Sequence, residues 1–221
     1  MSVKAALLGR KSTRAFLDKE VSRKTIHDIL DVARHAPSGA NTQPWQVAIV
    51  TGARKQQLQE RLEQEFRRGV KGKMDYEYYP TEWKSPYKDR RVATGLQLYK
   101  TLGIKKEDTQ RRADQWAANY RAFDAPVMLL FFMDAGLQTG SFMDYGMFIQ
   151  SVMLAAVDEG LATCPQAALG EYPEIVKDTL GYPLDSILLC GMSLGYEDTN
   201  AAVNSYRTPR EEVDSFTRYF E

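Results

Sequence analysis

A segment of about twenty residues, from Ser141 to Gly160, constrains the fold of this chain more than any other. Ser141, followed three residues later by Asp144, is typical of a helix start. Six side chains make the predicted helix apolar around most of its circumference: Tyr145, Phe148, Ile149, Val152, Leu154 and Ala155. Such a helix is stable only when protein surrounds it. We therefore expect it at the centre of the molecule, in a monomer core or in a dimer interface.

Shorter patterns place other elements around this central helix. Helices are predicted at 2–8, 22–36, 58–66, 90–102, 106–121 and 171–180, and strands at 45–51, 127–133, 162–164 and 186–194. The chain has no internal repeat, low-complexity segment or linker-like break. We therefore predict one α+β domain over residues 1–221, with a polar C-terminal extension at 195–221.

Charge and cysteine content exclude several classes of protein. The 29 basic and 29 acidic residues cancel, so no overall field favours nucleic acid or an anionic membrane. Cys164 and Cys190 lack CxxC spacing and His27 and His35 form no HExxH motif, so we predict no metal site. No stretch resembles a secretory segment or approaches the ~20 apolar residues of a membrane span. A cytoplasmic protein with reduced thiols is expected.

Common catalytic and nucleotide-binding motifs are also missing. The chain contains no GxGxxG, GxxxxGK[ST] or GxSxG sequence, which are typical of dinucleotide sites, P-loops and hydrolase elbows. If the protein is an enzyme, we expect a bound cofactor to supply the difficult chemistry.

The segment Arg10-Lys11-Ser12-Thr13-Arg14 concentrates three cations and two hydroxyls in five residues. Such a set can neutralise a phosphate dianion and donate several charge-assisted hydrogen bonds to it. The alternative is a solvated basic turn. In the C-terminal extension, Arg207 is either a further phosphate ligand or a surface residue.

The loop from Pro37 to Pro44 offers side chains that suit a flat polar ring. Ser38, Asn41 and Gln43 can donate or accept toward the alternating carbonyl and N–H groups of a flavin or a nucleobase. The same residues also suit a polar turn that caps its own backbone.

A second loop, Pro165 to Gly170, follows a predicted strand and contains mostly small residues. A flat ligand can lie against its backbone, where the amides of Ala167 and Ala168 are able to donate. The alternative is a close-packed strand exit.

An irregular, aromatic stretch at 74–87 is the best candidate for a lid. Its aromatic residues either line a pocket for planar substrates or pack the segment down: Tyr76, Tyr78, Tyr79, Trp83 and Tyr87.

Four of these segments, in this order and spacing, resemble the FMN-dependent nitroreductase family, and its nitrobenzoate and nitroaromatic reductase branch in particular. They are 10–16, 37–45, the Pro165 loop and 204–209. The resemblance covers nearly the whole chain. It implies an α+β fold with a central mixed β-sheet flanked by helices, and an intertwined homodimer whose C-terminal extension wraps the partner subunit.

The resemblance also implies a flavin site built from two subunits. FMN would be the cofactor, with NADPH or NADH as electron donor. The phosphate and ribityl chain would be bound by Arg10, Lys11, Ser12, Arg14 and Arg207. The other subunit would contribute Pro37, Ser38, Gly39, Asn41 and Gln43. The ring would face Pro165, Gln166, Ala167, Ala168 and, near its pyrimidine, Arg121, with Tyr76, Trp83 and Tyr87 as candidates for the substrate pocket.

Two positions depart from the family pattern. Many members have a basic residue where this chain has Ser205, and a glutamate where it has Ala167. Backbone amides near flavin N5 do not depend on those side chains, and such a donor stabilises the electron-rich reduced ring.

The implied reaction is ping-pong. NAD(P)H reduces the flavin at N5 and leaves, and a nitroaromatic or a quinone then takes the electrons, with no obligatory general acid. Four alternatives stay open: reductive dehalogenation of a halotyrosine held by Glu77, Tyr78 and Lys84, flavin fragmentation, reduction of azo or enone compounds, and a non-catalytic module that binds a phosphorylated ligand.

Overall fold

Four strands form one sheet in a computed structural model that describes residues 1–221. They are β1 (Gln46–Val50), β2 (Val127–Asp134), β3 (Ala162–Gln166) and β4 (Ser186–Gly195). Their order is β1-β2-β4-β3, and every neighbouring pair is antiparallel. The sheet of a single chain is therefore not mixed as expected, since its one parallel contact is the isolated bridge between Ser12 and Thr163.

Seven helices accompany the sheet, close to the predicted positions. They are α1 (Val3–Gly9), α2 (Arg23–Ala33), α3 (Gly52–Arg67), α4 (Tyr87–Thr101), α5 (Thr109–Ala117), α6 (Thr139–Asp158) and α7 (Pro173–Leu180). Ser22 caps α2 as predicted, because its hydroxyl accepts the Thr25 N–H at 3.0 Å. None of the helices is long and apolar enough to cross a membrane.

Strand β2 is buried on both faces because helices cover both sides of the sheet. One face packs into a cluster with α2 and α6 and presents Val127, Leu129, Phe131 and Met133. The other packs against α3 and α7 and presents Met128, Leu130 and Phe132. An unbroken apolar run is more typical of parallel strands. Here it reflects this two-sided cover, so the run does not reveal the direction of the strand.

The predicted central helix is α6, and it is buried on one side only. Its N-cap is Gln138, so Ser141 lies inside the first turn. Tyr145 and Phe148 are almost completely buried, whereas Met143 is 71% exposed and Met147 40% exposed. The Tyr145 hydroxyl donates to the Phe132 carbonyl at 2.5 Å and accepts the Gln46 N–H at 2.7 Å, which ties α6 to β1 and β2. The opposite side of α6 is open in a single chain.

Several weakly acidic side chains make the fold sensitive to alkali. Burial raises the pKa of the Cys190 thiol to about 12, and it raises the pKa of the Tyr76, Tyr120 and Tyr145 hydroxyls above 10.0. Below about pH 8, both the folded and the unfolded chain keep these protons, and pH has no effect through them. At higher pH the unfolded chain loses them first, so the free energy of unfolding falls by up to about 1.4 kcal/mol per pH unit for each group.

Urea unfolding across the range from about pH 8 to pH 11 measures this effect, and we expect a midpoint that falls steadily above about pH 9. The midpoint of the variant Tyr76→Phe should fall less steeply, because this variant lacks one of these groups. An unchanged midpoint in the wild type would contradict the prediction.

Candidate functional site

The basic segment lies against the edge strand β3. Ser12 forms the parallel bridge with Thr163, and the Thr13 N–H donates to the Thr163 carbonyl at 3.0 Å. These contacts place the segment next to Cys164 and Pro165, at the start of the second predicted loop. The structure thus joins two of the segments that the sequence had singled out, although they are about 150 residues apart.

Arginines near this segment have no acidic partner. The Arg10 guanidinium donates only to the Met153 sulfur at 3.7 Å, and the Arg14 guanidinium only to the Ser12 carbonyl at 3.2 Å. Burial lowers the pKa of Arg10, and so does repulsion from Arg210 and Arg207. Cations that repel one another without a carboxylate between them form a site for an anion. A phosphate group fits this donor set.

Two other predicted phosphate ligands are already engaged within the chain. Lys11 forms an ion pair with Glu197 at 2.7 Å and donates to the Asn204 carbonyl at 2.5 Å. Arg207 donates to three carbonyls at the end of α1, those of Leu8, Gly9 and Arg10, the last at 2.7 Å. Both side chains hold the segment together. Arg207 does so at the carbonyl end of a helix, where basic groups commonly bind.

The loop from Pro37 to Pro44 has a strained backbone. Ala40, Asn41 and Gln43 have positive φ angles of 49°, 57° and 48°, the left-handed region that non-glycine residues rarely adopt. Within the loop, the Ser38 hydroxyl accepts the Gln43 N–H at 3.0 Å. The side chains of Asn41 and Gln43 are exposed. Strain of this kind persists where surrounding contacts enforce it, and it is concentrated at binding sites.

Asp144 of α6 supplies one such contact, because its carboxylate accepts the Gly39 N–H at 3.0 Å. Met153, which touches Arg10, lies nine positions later on the same helix. At 1.5 Å per residue, the loop and the basic segment are about 14 Å apart along α6. We call these two regions, the loop at 37–44 and the basic segment at 10–14, the half-sites. Within a single chain they are separate.

Beyond Pro165, the loop can contact a flat ligand through its backbone more readily than through its side chains. Gln166 is 4% exposed, and its amide donates to the Asn119 carbonyl at 2.9 Å and accepts from the Ser193 hydroxyl at 2.5 Å. This side chain is fixed in the interior. Ala167 and Ala168 form a short helical turn directly after β3.

Arg121 forms no hydrogen bond with the other predicted site residues. Its guanidinium forms ion pairs with Glu63 at 2.9 Å and with Asp124 at 3.0 Å, and its carbonyl accepts from Lys55. No contact joins it to the basic segment, so its contact with a flavin stays a prediction.

The predicted lid is anchored at its beginning and free of hydrogen bonds to the body afterwards. Asp75 accepts the Leu188 N–H at 2.8 Å and pairs with Lys177 at 2.9 Å, and the Tyr76 hydroxyl donates to the Leu189 carbonyl at 2.7 Å. Residues 77–83 form no hydrogen bond with the remainder of the domain, and the Lys84 carbonyl accepts the Lys88 N–H of α4 at 2.9 Å. Trp83 stacks loosely under the Arg91 guanidinium at 5.2 Å, and Tyr87 is 62% exposed.

Comparison with known proteins settles the family. A model of the nitroreductase family matches residues 7–196, which is most of the chain. The chain belongs to the nitroreductase family.

Similar nitroreductases have been characterised in several bacteria. The chain is 39% identical to a 4-nitrobenzoate reductase of Pseudomonas putida, over 97% of this chain and 94% of that protein. It matches the structure of the FMN and NADPH-dependent nitroreductase NfnB of Sphigopyxis sp. strain HMH with a TM-score of 0.97 at 38% identity, over 100% of both chains. NfnB of Mycobacterium smegmatis, solved in complex with NADPH, matches with a TM-score of 0.93 at 33% identity, over 99% and 97%.

One groove of this nitroreductase lies away from both half-sites. It has a volume of about 1040 Å³, lies between α2, β1 and the start of α3, and contains none of the predicted flavin ligands.

Two residues that hold the half-sites were not predicted as site residues. Asp144 was interpreted only as part of a helix start, and Asn204 only as part of the resembling tail segment. Each makes its contact over a long sequence separation, to Gly39 and to Arg14 respectively. No local pattern indicates such pairs.

Proposed function

We propose that this protein is an FMN-dependent, NAD(P)H-oxidising nitroreductase that reduces nitroaromatic compounds and quinones by a ping-pong reaction. The observation that carries the proposal is the group of arginines without acidic partners beside the Pro165 loop, in a chain of the nitroreductase family. The names of the similar proteins, with FMN, NADPH and nitroaromatic compounds in them, support the cofactor, the donor and the substrate class.

Each half-site would hold a different part of the cofactor. Arg10, Ser12 and Arg14 would bind the phosphate, and the backbone of residues 165–168 would lie along the ring. The loop with Ser38, Gly39, Asn41 and Gln43 would come from the second subunit. When bound, FMN supplies the redox chemistry, because it accepts a hydride and passes electrons to an electron-poor aromatic.

The remaining task of the protein is to bind and orient the aromatic substrate. Tyr76, Trp83 and Tyr87 provide flat surfaces on which such a ring can stack. His27 and His35 are exposed on or after α2, far in sequence from these residues, and are not needed as general acids. Solvent can protonate a nitro or quinone oxygen.

A homodimer follows from the same proposal. Met143 and Met147 on the open side of α6 and three aromatic residues of the C-terminal extension, Phe216, Tyr219 and Phe220, are exposed in one chain. An exposed apolar surface of this kind is typical of an interface. The outer edge of β1 also has no partner strand. A second copy would cover these surfaces and bring the two half-sites together.

The visible spectrum of the purified protein tests the function. We expect flavin bands that bleach when NADPH or NADH is added without oxygen, and that return when 4-nitrobenzoate is added.

Arg14→Gln should weaken FMN binding about tenfold or more, since it removes a charge-assisted contact. Arg34→Gln, a surface change on the end of α2, is the matched control and should leave FMN affinity within about twofold.

A colourless protein that binds no added FMN would refute the cofactor assignment and leave the phosphate-binding module. Turnover of a halotyrosine, an azo compound or an enone in preference to nitroaromatics would keep the cofactor and change the substrate class.

A further inference from the structure

One buried amide joins the C-terminal extension to the basic segment. Asn204 is 3% exposed. Its side-chain oxygen accepts the Arg14 N–H at 2.8 Å, and its side-chain nitrogen donates to the carbonyls of Ala15 and Asp198, both at 2.9 Å. Its own carbonyl accepts from Lys11. All three hydrogen bonds of the side chain go to backbone atoms, so the side chain fixes where the chain runs.

The basic segment needs such support because it is irregular and its charges repel. Between α1 and α2 it forms only isolated bridges, Ser12 with Thr163 and Phe16 with Glu197. Arg207 and Arg210 both repel Arg10. Without a fixed backbone, repulsion would drive the guanidinium groups apart and into water. Asn204 fixes the backbone at Arg14, in the middle of the segment.

We propose that Asn204 is a positioning residue for phosphate binding, whose side chain acts on Arg14 without touching the ligand. The inference rests on the proposed function, in which this segment binds the phosphate of FMN. It follows that the C-terminal extension, through an uncharged side chain, sets the affinity for a phosphorylated flavin.

Titration of the apoprotein with FMN and with riboflavin, which lacks the phosphate, tests the proposal. In Asn204→Ala we expect the Kd for FMN to rise about tenfold or more, and the Kd for riboflavin to change by less than about twofold. A general packing defect would raise both constants equally. Asn200→Ala is the matched control, because Asn200 is an exposed residue of the same tail whose side chain forms no hydrogen bond.

The outcomes separate the two proposals. A wild type that binds FMN, with an Asn204→Ala variant of equal FMN affinity or of equal loss for both flavins, overturns the positioning role alone. A wild type that does not bind FMN overturns the proposed function as well. If Asn204→Ala does not fold, Asn204→Ser retains one hydroxyl in that position and should show the same selective loss with a smaller magnitude. An equal loss for both flavins in Asn204→Ser again overturns the role.

Discussion

Replacing Asp75 by asparagine is expected to lower the free energy of unfolding by about 3 kcal/mol. The variant removes the charge partner of Lys177, whose side chain is only 4% exposed and whose one other contact is the Leu184 carbonyl at 3.2 Å. A buried cation without a counterion is strongly destabilising. The expected value is at the lower end for such pairs because the Asp75 side chain is 21% exposed, so water already reaches the carboxylate.

Lys177→Met provides the comparison. It removes the buried charge itself, and Asp75 keeps both water and the Leu188 N–H. We expect a loss of about 1 kcal/mol, and a similar loss in the double variant, which has no unpaired charge. Chemical denaturation at a fixed protein concentration measures all three. If the double variant is as unstable as Asp75→Asn alone, the pairing explanation is wrong.

Phe148→Ala should destabilise the domain by about 3–5 kcal/mol, the usual range for an aromatic residue in a core. The Phe148 ring is 2% exposed and stacks on Trp45 with 4.8 Å between ring centroids and 5° between planes. It also meets Phe131 and Tyr145 edge to face. The substitution therefore leaves a cavity where α6 packs on the sheet, next to the end of the strained loop.

Leu184→Ala is a suitable control, because this leucine is 77% exposed and should change stability by less than about 0.5 kcal/mol. The tryptophan fluorescence of the folded Phe148→Ala variant should also shift, since Trp45 loses its stacking partner. A loss near 1 kcal/mol would mean that neighbouring side chains collapse into the cavity.

The elements of the fold could be predicted because their signals are local. Ser22 caps α2, Gly181 ends α7 in a left-handed conformation, and the apolar run at 127–133 is a strand. The direction of that strand could not be predicted, because helices on both faces remove the alternation that distinguishes an antiparallel strand. The exposed side of α6 was also beyond prediction, since an interface and a core have the same composition.

The candidate site was only partly predictable for the same reason. The charges at Arg10 and Arg14 are evident in the sequence. The sequence does not reveal which basic side chains have an acidic or carbonyl partner within the chain and which are left for a ligand. Lys11 and Arg207 belong to the same basic pattern, and the structure assigns both to contacts within the chain. Which cation remains available depends on Glu197 and on the end of α1, and no spacing rule connects these to the segment.

The lid offers a route to altered enzymes. Residues 77–83 form no hydrogen bond with the remainder of the domain, so their replacement leaves no backbone group of the domain without its partner. The anchors at Asp75 and Tyr76 can stay fixed while the seven positions are varied in a library. Under the proposed function, selection from that library should change which aromatic compounds are accepted, with little loss of expression, because the varied positions contribute no hydrogen bond to the fold.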